Sequence, residues 1–293
     1  MTDWASSHAA LADLARRQLF FVGGAPRSGT TWVQELLDRH PEVSCRGEGL
    51  FQQELARPVD MLIDYRRNAL AAKNGSTFKD FEGYPLPTAD DGDVLLGTAV
   101  LLALRQQCEG RETRAIGEKT PENTFLFPRL KRLFPAAKFI GIARDPRDSL
   151  SSAWHFWAKQ QIGQHGPEAK AAFVDASIEA VEAGLQRFVD YTEEYPQDCR
   201  IFTYESLLKI PEPILAGLCR FLDVSDDPGI VAACVEGASF ASLSGGRPAG
   251  VTQDGAFLRK GVAGDWTETL PPDVAARIVD RLGWAYEWFA WSR

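Results

Sequence analysis

Residues 19–38 read LFFVGGAPRSGTTWVQELLD. The part from Leu19 to Gly24 is a short apolar run closed by glycine, the pattern of a parallel strand buried on both faces. A Gly/Pro/Ser turn follows, and Thr30 to Asp38 then places apolar residues at helical spacing. Strand, glycine loop and helix in that order open a phosphate-loop α/β unit. Gly24 to Thr31 has the skeleton G-x-x-x-x-G-x-T, in which backbone N–H groups near Gly29 and the positive end of the next helix cradle an anion. The lysine usual after the second glycine, which reaches the β and γ phosphates of a nucleoside triphosphate, is replaced by Thr30. Arg27 arrives two residues before the glycine instead, which points to an anionic ligand with no γ-phosphate.

Outward from this unit, strands are expected at Ala115 to Glu118, Lys138 to Ala143 and Arg200 to Thr203. Helical patterns lie at Ala9 to Arg17, Asp148 to Gln160, Lys170 to Tyr195, Glu212 to Leu222 and Asp273 to Trp291. The alternation predicts one α/β domain over residues 1–293, a phosphate-loop-type parallel β-sheet flanked by helices on both faces. Residues 50–93 are rich in Gly, Pro and Asp and read as a variable excursion, with 50–113 shaping an acceptor site. Val94 to Leu104, the longest apolar run, is too short to span a bilayer and reads as a buried helix. The aromatics Trp284, Tyr286, Trp288, Phe289 and Trp291 read as packing of the last helix.

With 45% hydrophobic and 25% charged residues, wholesale disorder is excluded. A net charge of −8 argues against a broad nucleic-acid surface. Residues 111–160 nevertheless carry ten basic against five acidic residues, including Arg111, Arg114, Arg129, Lys131, Arg132 and Lys159. Such a stretch is either solvated charge or a site for a small anion; Arg111, Arg114, Arg129, Lys131 and Arg132 lie outside the motifs described below and read as solvated charge. Five scattered cysteines without a C-x-x-C pair indicate reduced thiols, with neither a disulfide framework nor a zinc site. The four histidines do not pair at metal-ligand spacing, and Met1 to Arg17 lacks the apolar stretch of a signal peptide. A soluble, cytoplasmic protein with no metal is the expectation.

Four ordered segments carry a family resemblance. Pro26-Arg-Ser-Gly-Thr-Thr-Trp32 resembles the 5′-phosphosulfate loop of sulfotransferases that use 3′-phosphoadenylyl sulfate. Phe139-Ile-Gly-Ile-Ala-Arg144, with Ser152 eight residues on, is similar to that family's 3′-phosphate strand and helix. Tyr204-Glu-Ser-Leu207 resembles a further cofactor-contact segment, and Phe257-Leu-Arg-Lys-Gly-Val-Ala-Gly-Asp-Trp266 the C-terminal loop of cytosolic-type members. The resemblance implies sulfuryl transfer from 3′-phosphoadenylyl sulfate (PAPS), leaving 3′-phosphoadenosine 5′-phosphate (PAP), without a required metal. It assigns the 5′-phosphosulfate to Arg27, Ser28, Gly29, Thr30 and Thr31, and the 3′-phosphate to Arg144, Ser152, Arg259, Lys260 and Gly261. Adenine is assigned to Trp32 and Phe240 as a stacking pair, with Tyr204 as a polar contact. Ordinary ion pairs are the alternatives for Arg144, with Asp145 or Asp148, and for Lys119, with Glu118 or Glu122.

The resemblance also implies Arg27 and Lys119 as stabilisers of the sulfuryl and leaving-group oxygens. Cytosolic-type enzymes place a base histidine two residues after the lysine that corresponds to Lys119; here that position is Pro121. Arg46-Gly-Glu-Gly49 instead resembles the tyrosylprotein-type segment with the catalytic glutamate, and Glu48 stands 21 residues after Arg27 as in that type. Glu48 is therefore the expected base and His155, among the aromatics Trp154, Phe156 and Trp157, its rival or a pocket wall. Aromatics near Phe51, Phe78, Phe81, Tyr84 and 155–157 favour a small-molecule or lipid hydroxyl acceptor. Alternatives are a phosphate-loop small-molecule kinase and a catalytically inactive nucleotide-binding sensor. Thr30 in place of lysine weighs against the first, and Arg27, Glu48 and Lys119 together weigh against the second.

Overall fold

In the run at 19–24 every residue is buried, and strand alternation decides which layer each side chain joins. Leu19 and Phe21 enter one apolar cluster; Phe20 and Val22 enter another on the opposite face. The computed structural model describes residues 3–108, 110–158, 166–253 and 256–293. Among these, β1 (Gln18–Gly24) is the middle of a five-stranded parallel sheet with β2 (Val43–Cys45), β3 (Ala115–Lys119), β4 (Lys138–Ala143) and β5 (Cys199–Thr203). The order is β2-β3-β1-β4-β5. The chain leaves β1 in one direction toward β2 and later in the other toward β5. Such a reversal opens a crevice beyond the carboxyl ends of the central strands, where α/β sheets bind ligands.

The first cluster is covered by α1 (Trp4–Leu14), and the second by α2 (Thr30–Asp38), which buries Val33, Leu36 and Leu37 at helical spacing. A π-helical turn at Phe51–Ala56 leads into α3 (Arg57–Ser76). The helices α4 (Ala89–Gln107), α5 (Asn123–Leu133), α6 (Pro146–Ala153) and α7 (Pro167–Glu194) add to the first cluster. Then α8 (Tyr204–Lys209), α9 (Pro211–Phe221) and α10 (Pro228–Gly237) complete the second. The short α11 (Phe240–Leu243) and α12 (Trp266–Thr269) bracket the C-terminal loop, and α13 (Pro272–Arg281) and α14 (Gly283–Trp288) return to the first cluster.

Several expectations change. The excursion at 50–93 is largely helical, because Pro58 sits in the first turn of α3 and Thr88 caps α4 with Asp91 reciprocally. Only one side of the apolar run at 94–104 is buried; Val94, Leu95 and Leu102 are exposed. Strand β2 was not foreseen, being three residues long. The last helix breaks at Leu282 into α13 and α14. The expected helix from Asp148 becomes π-helical at Trp154–Ala158, and its end at Gln160, with Lys159, lies outside the described residues. Three cations read as solvated are instead braces: Arg111 on Asp38 (2.8 Å) and the Val43 carbonyl (2.9 Å), Arg129 on Asp60 and Asp93, and Lys131 on Asp198. Arg114 and Arg132 are more than half exposed, as expected of solvated charge. No helix among the described residues is long and apolar enough to cross a membrane.

The C-terminal aromatics largely pack, and two of them also bond. Tyr286 donates to Asp145 Oδ1 (2.9 Å), and Trp291 Nε1 to Glu205 Oε2 (2.9 Å). Glu205 also accepts the Asp145 N–H (3.0 Å), while Arg147 holds both Asp145 oxygens and the Ser292 carbonyl. Burial pushes the Glu205 carboxyl up, so these donors are its compensation. Tyr286→Phe should cost about 1–3 kcal/mol, since it removes a donor to a buried carboxylate. A lower urea midpoint with an unchanged slope is the expected reading.

Candidate active site

The loop after β1 has two left-handed residues, Arg27 (φ 68°) and Gly29 (φ 108°). At Gly29 only glycine fits, because a Cβ would lie 2.7 Å from the Tyr204 ring. The Gly24 N–H donates to the Pro121 carbonyl (3.2 Å), which ties the loop to the chain leaving β3. Gly29 then caps α2 without a side-chain bond, so the first-turn N–H groups have no side-chain competitor. Arg27, Gly29, Thr30, Thr31 and Trp32 all line a cavity of about 520 Å³. Ser28 does not: its hydroxyl is buried against Gly24 and unpartnered.

The Arg27 guanidinium lies over the rings of Phe156 (4.5 Å) and Phe257 (4.7 Å), which meet edge to face, and donates to the Phe257 carbonyl (2.5 Å) and Ser152 Oγ (3.4 Å). Burial, with Arg144 and Arg259 nearby, pushes its pKa down to about 10, which leaves it charged at neutral pH. A left-handed arginine costs about 1–2 kcal/mol, and these contacts offset it. Neither phenylalanine had been assigned to Arg27 on sequence grounds, because each is an ordinary aromatic in its own segment.

Arg144 follows β4 directly and stacks on Tyr204 (4.5 Å), while donating to the carbonyls of Arg27 (3.2 Å) and Val262 (2.9 Å). It also stands 3.7 Å from Asp148, so the simple ion pair is present beside the other contacts. Asp148 accepts the N–H groups of Gly264 (2.7 Å) and Trp266 (2.9 Å), fastening the C-terminal loop to α6. Phe240, which opens α11, and Arg259, Lys260 and Gly261 on that loop line the cavity, as do Arg144, Ser152 and Tyr204. Gly261 (φ 70°) lets the loop pass against Phe240, whose ring a Cβ would strike at 2.2 Å. Phe240 also lies under Arg247 (4.9 Å), and Trp32 meets Tyr204 edge-on (5.6 Å). Arg259 and Lys260, expected to meet a phosphate, both pair with Asp265 in the structure. That aspartate is nearly buried, and a carboxylate held by two cations neutralises them locally.

Glu48 reaches the cavity wall from the loop after β2, and Lys119 stands behind it at the end of β3. Lys119 Nζ donates to Glu48 (2.5 Å) and Thr31 Oγ1 (3.2 Å). The Lys119 side chain is 3% exposed and Glu48's 43%. The alternatives of Glu118 or Glu122 as partner are not taken up. His155 faces a different cavity with Trp154 and Lys170, its Nδ1 2.8 Å from the Ser151 carbonyl. The structure does not bring it to Glu48. Phe51 is in the core and Phe78, Phe81 and Tyr84 lie on the surface, so none of the four lines the cavity; Phe156 and Trp157 do.

The family model for the sulfotransferase family matches residues 20–228, which spans both the anion loop and Arg144. The chain belongs to that family. Among curated sulfotransferases, a putative protein-tyrosine sulfotransferase of Caenorhabditis briggsae is 28% identical over 211 residues, 71% of this chain and 66% of that protein. Cytosolic sulfotransferase 17 of Arabidopsis thaliana is 25% identical over 90% of this chain and 73% of its own length. Cytosolic sulfotransferase 16 of the same plant matches at 28% over 48% of each. The chain thus spans about half to three quarters of these relatives. A mouse sulfotransferase, SULT7A1, solved in complex with PAP, shares the fold at a TM-score of 0.57 and 16% identity over 97% of this chain and 91% of that one. Retinol dehydratase, solved with androsterone and PAP, does so at 0.53 and 16% identity, over 96% and 85%.

Proposed function

We propose that this sulfotransferase-family chain moves a sulfuryl group from PAPS to an acceptor hydroxyl, with Glu48 as base. The observation that carries the reading is the meeting of Glu48, Lys119 and Thr31 at the edge of the anion loop. Trp32 and Arg144 both line the cavity beside the anion loop. Trp32 and Phe240 offer the flat apolar surfaces, and the Arg144 fork suits a phosphate as lysine would not.

In the reaction the acceptor oxygen forms a bond to sulfur as the bond from sulfur to the 5′-phosphate oxygen breaks. Glu48 takes the hydroxyl proton. Negative charge grows on the departing phosphate oxygen, and Lys119 and Arg27 offset it. The acceptor is proposed to be an apolar hydroxyl compound, since Leu50, Trp157 and Phe257 line the cavity with more than a third of each exposed. The names of the protein-tyrosine relatives make a tyrosine peptide the contrasting acceptor.

Calorimetric titration with PAP and with ATP plus magnesium tests the nucleotide. Tight PAP binding, with sulfated product formed from PAPS and an apolar phenol or alcohol, is expected. Preference for ATP, or PAP binding without sulfation of any acceptor, would overturn the reading, and sulfation of the peptide alone would overturn the acceptor. Arg144→Lys should weaken PAP about 10- to 100-fold, because charge remains but the fork and the stack on Tyr204 are lost. Affinity for adenosine 5′-monophosphate, which lacks the 3′-phosphate, should fall by a smaller factor.

A further inference from the structure

Pairing between β2 and β3 stops at Cys45 opposite Gly117. Beyond that point the loop at 46–50 crosses the end of β3 with no backbone ladder, and three consecutive β3-edge residues take over. Lys119 holds the Glu48 carboxylate, Glu118 Oε1 accepts the Gly49 N–H (2.6 Å), and Thr120 Oγ1 accepts the Leu50 N–H (3.2 Å). Thr120 in turn donates to Glu118 Oε1 (2.5 Å), and Asn123 Nδ2 donates to Oε2 (2.6 Å). Gly47 (φ 55°) and Leu50 (φ 50°) are both left-handed, so Glu48 lies in a kinked segment. Left-handed backbone at leucine persists only where neighbours hold it.

We infer that Glu118 is a positioning residue for Glu48, holding its carboxylate at the cavity wall through the backbone of Gly49; this rests on the reading of Glu48 as base. Glu118 is 3% exposed and does not line the cavity, so it acts through the loop and not on a substrate. Burial pushes its carboxyl up despite three donors, a cost that an apolar residue would avoid. A packing role alone leaves this choice unexplained. A carboxylate that anchors a kinked loop at a defined distance from Lys119 accounts for it.

The test measures kcat, KM for the acceptor and PAP affinity in Glu118→Ala, Glu118→Gln, Glu48→Gln and the Glu48→Gln/Glu118→Ala double variant. Glu118→Ala should lower kcat about 100-fold, the scale of a 1 Å misplacement, with PAP affinity within twofold. Glutamine keeps an acceptor for the Gly49 N–H and should restore kcat to within about fivefold of the parent. In the double variant the alanine should add nothing to the loss already caused by Glu48→Gln, because both act through one carboxylate. Should Glu118→Ala not fold, Thr120→Val removes the Leu50 anchor and the donor to Glu118 with little change of volume. It should lower kcat about 10-fold with PAP affinity again unchanged. Unchanged kcat in these variants, equal losses in kcat and PAP affinity, or losses that multiply in the double variant would overturn the inference. Full turnover in Glu48→Gln alone would instead show that the base reading had failed.

Discussion

Glu48→Gln should lower kcat by about 10²–10⁴-fold while PAP affinity changes little, the range for loss of a positioned general base. The substitution is nearly isosteric, and the amide can still accept from Lys119 Nζ, which now lies 2.5 Å from the carboxylate. What disappears is the capacity to take a proton. An acceptor with a more acidic hydroxyl should recover part of the loss, because less proton transfer is then needed at the transition state. The parallel variant is His155→Ala. With its ring in a separate cavity against the Ser151 carbonyl, its removal should leave turnover within a fewfold of the parent, about the scale of a remote substitution. Near-full turnover by Glu48→Gln together with collapse in His155→Ala would reverse the assignment.

Lys119→Met should cost about 10²–10³-fold in kcat, as does removal of one preorganised donor to developing negative charge. The lysine is almost wholly buried, and its contacts to Thr31 and Glu48 place its charge between the anion loop and the base. Methionine fills a similar volume, which keeps the packing term small. In contrast with Glu48→Gln, an acidic acceptor should not restore Lys119→Met, because the charge it offsets grows on the leaving phosphate oxygen and not on the acceptor. Recovery of both variants by the same acceptor would show that Lys119 acts only by holding Glu48.

Much of the sheet was legible because its signals are local. Burial on both faces writes a continuous apolar run at 19–24 and 138–143, and a left-handed loop writes Gly29. Strand β2 escaped because three residues carry no periodicity, although its end launches Glu48. The ring contacts of Arg27 escaped for another reason. Phe156 and Phe257 lie 129 and 230 residues from it, and nothing local distinguishes a ring stacked on a guanidinium from a ring in the core. Asp265 stood in plain view within Gly264-Asp-Trp266, but its occupation of Arg259 and Lys260 depends on how the loop folds back.

By itself, the sequence determined the phosphate-loop α/β class, the anion loop and the set of side chains from which the site is drawn, since each rests on spacing between near neighbours. Tertiary structure alone decided which of them meet. Glu48 and Lys119 are 71 residues apart and come together because β2 lies beside β3, parallel and in a register that ends at Cys45 and Gly117. His155 is no farther from Lys119 in sequence than Glu48 is, yet it turns to another cavity. Strand order and register are set by packing over the whole domain, and no local pattern encodes them.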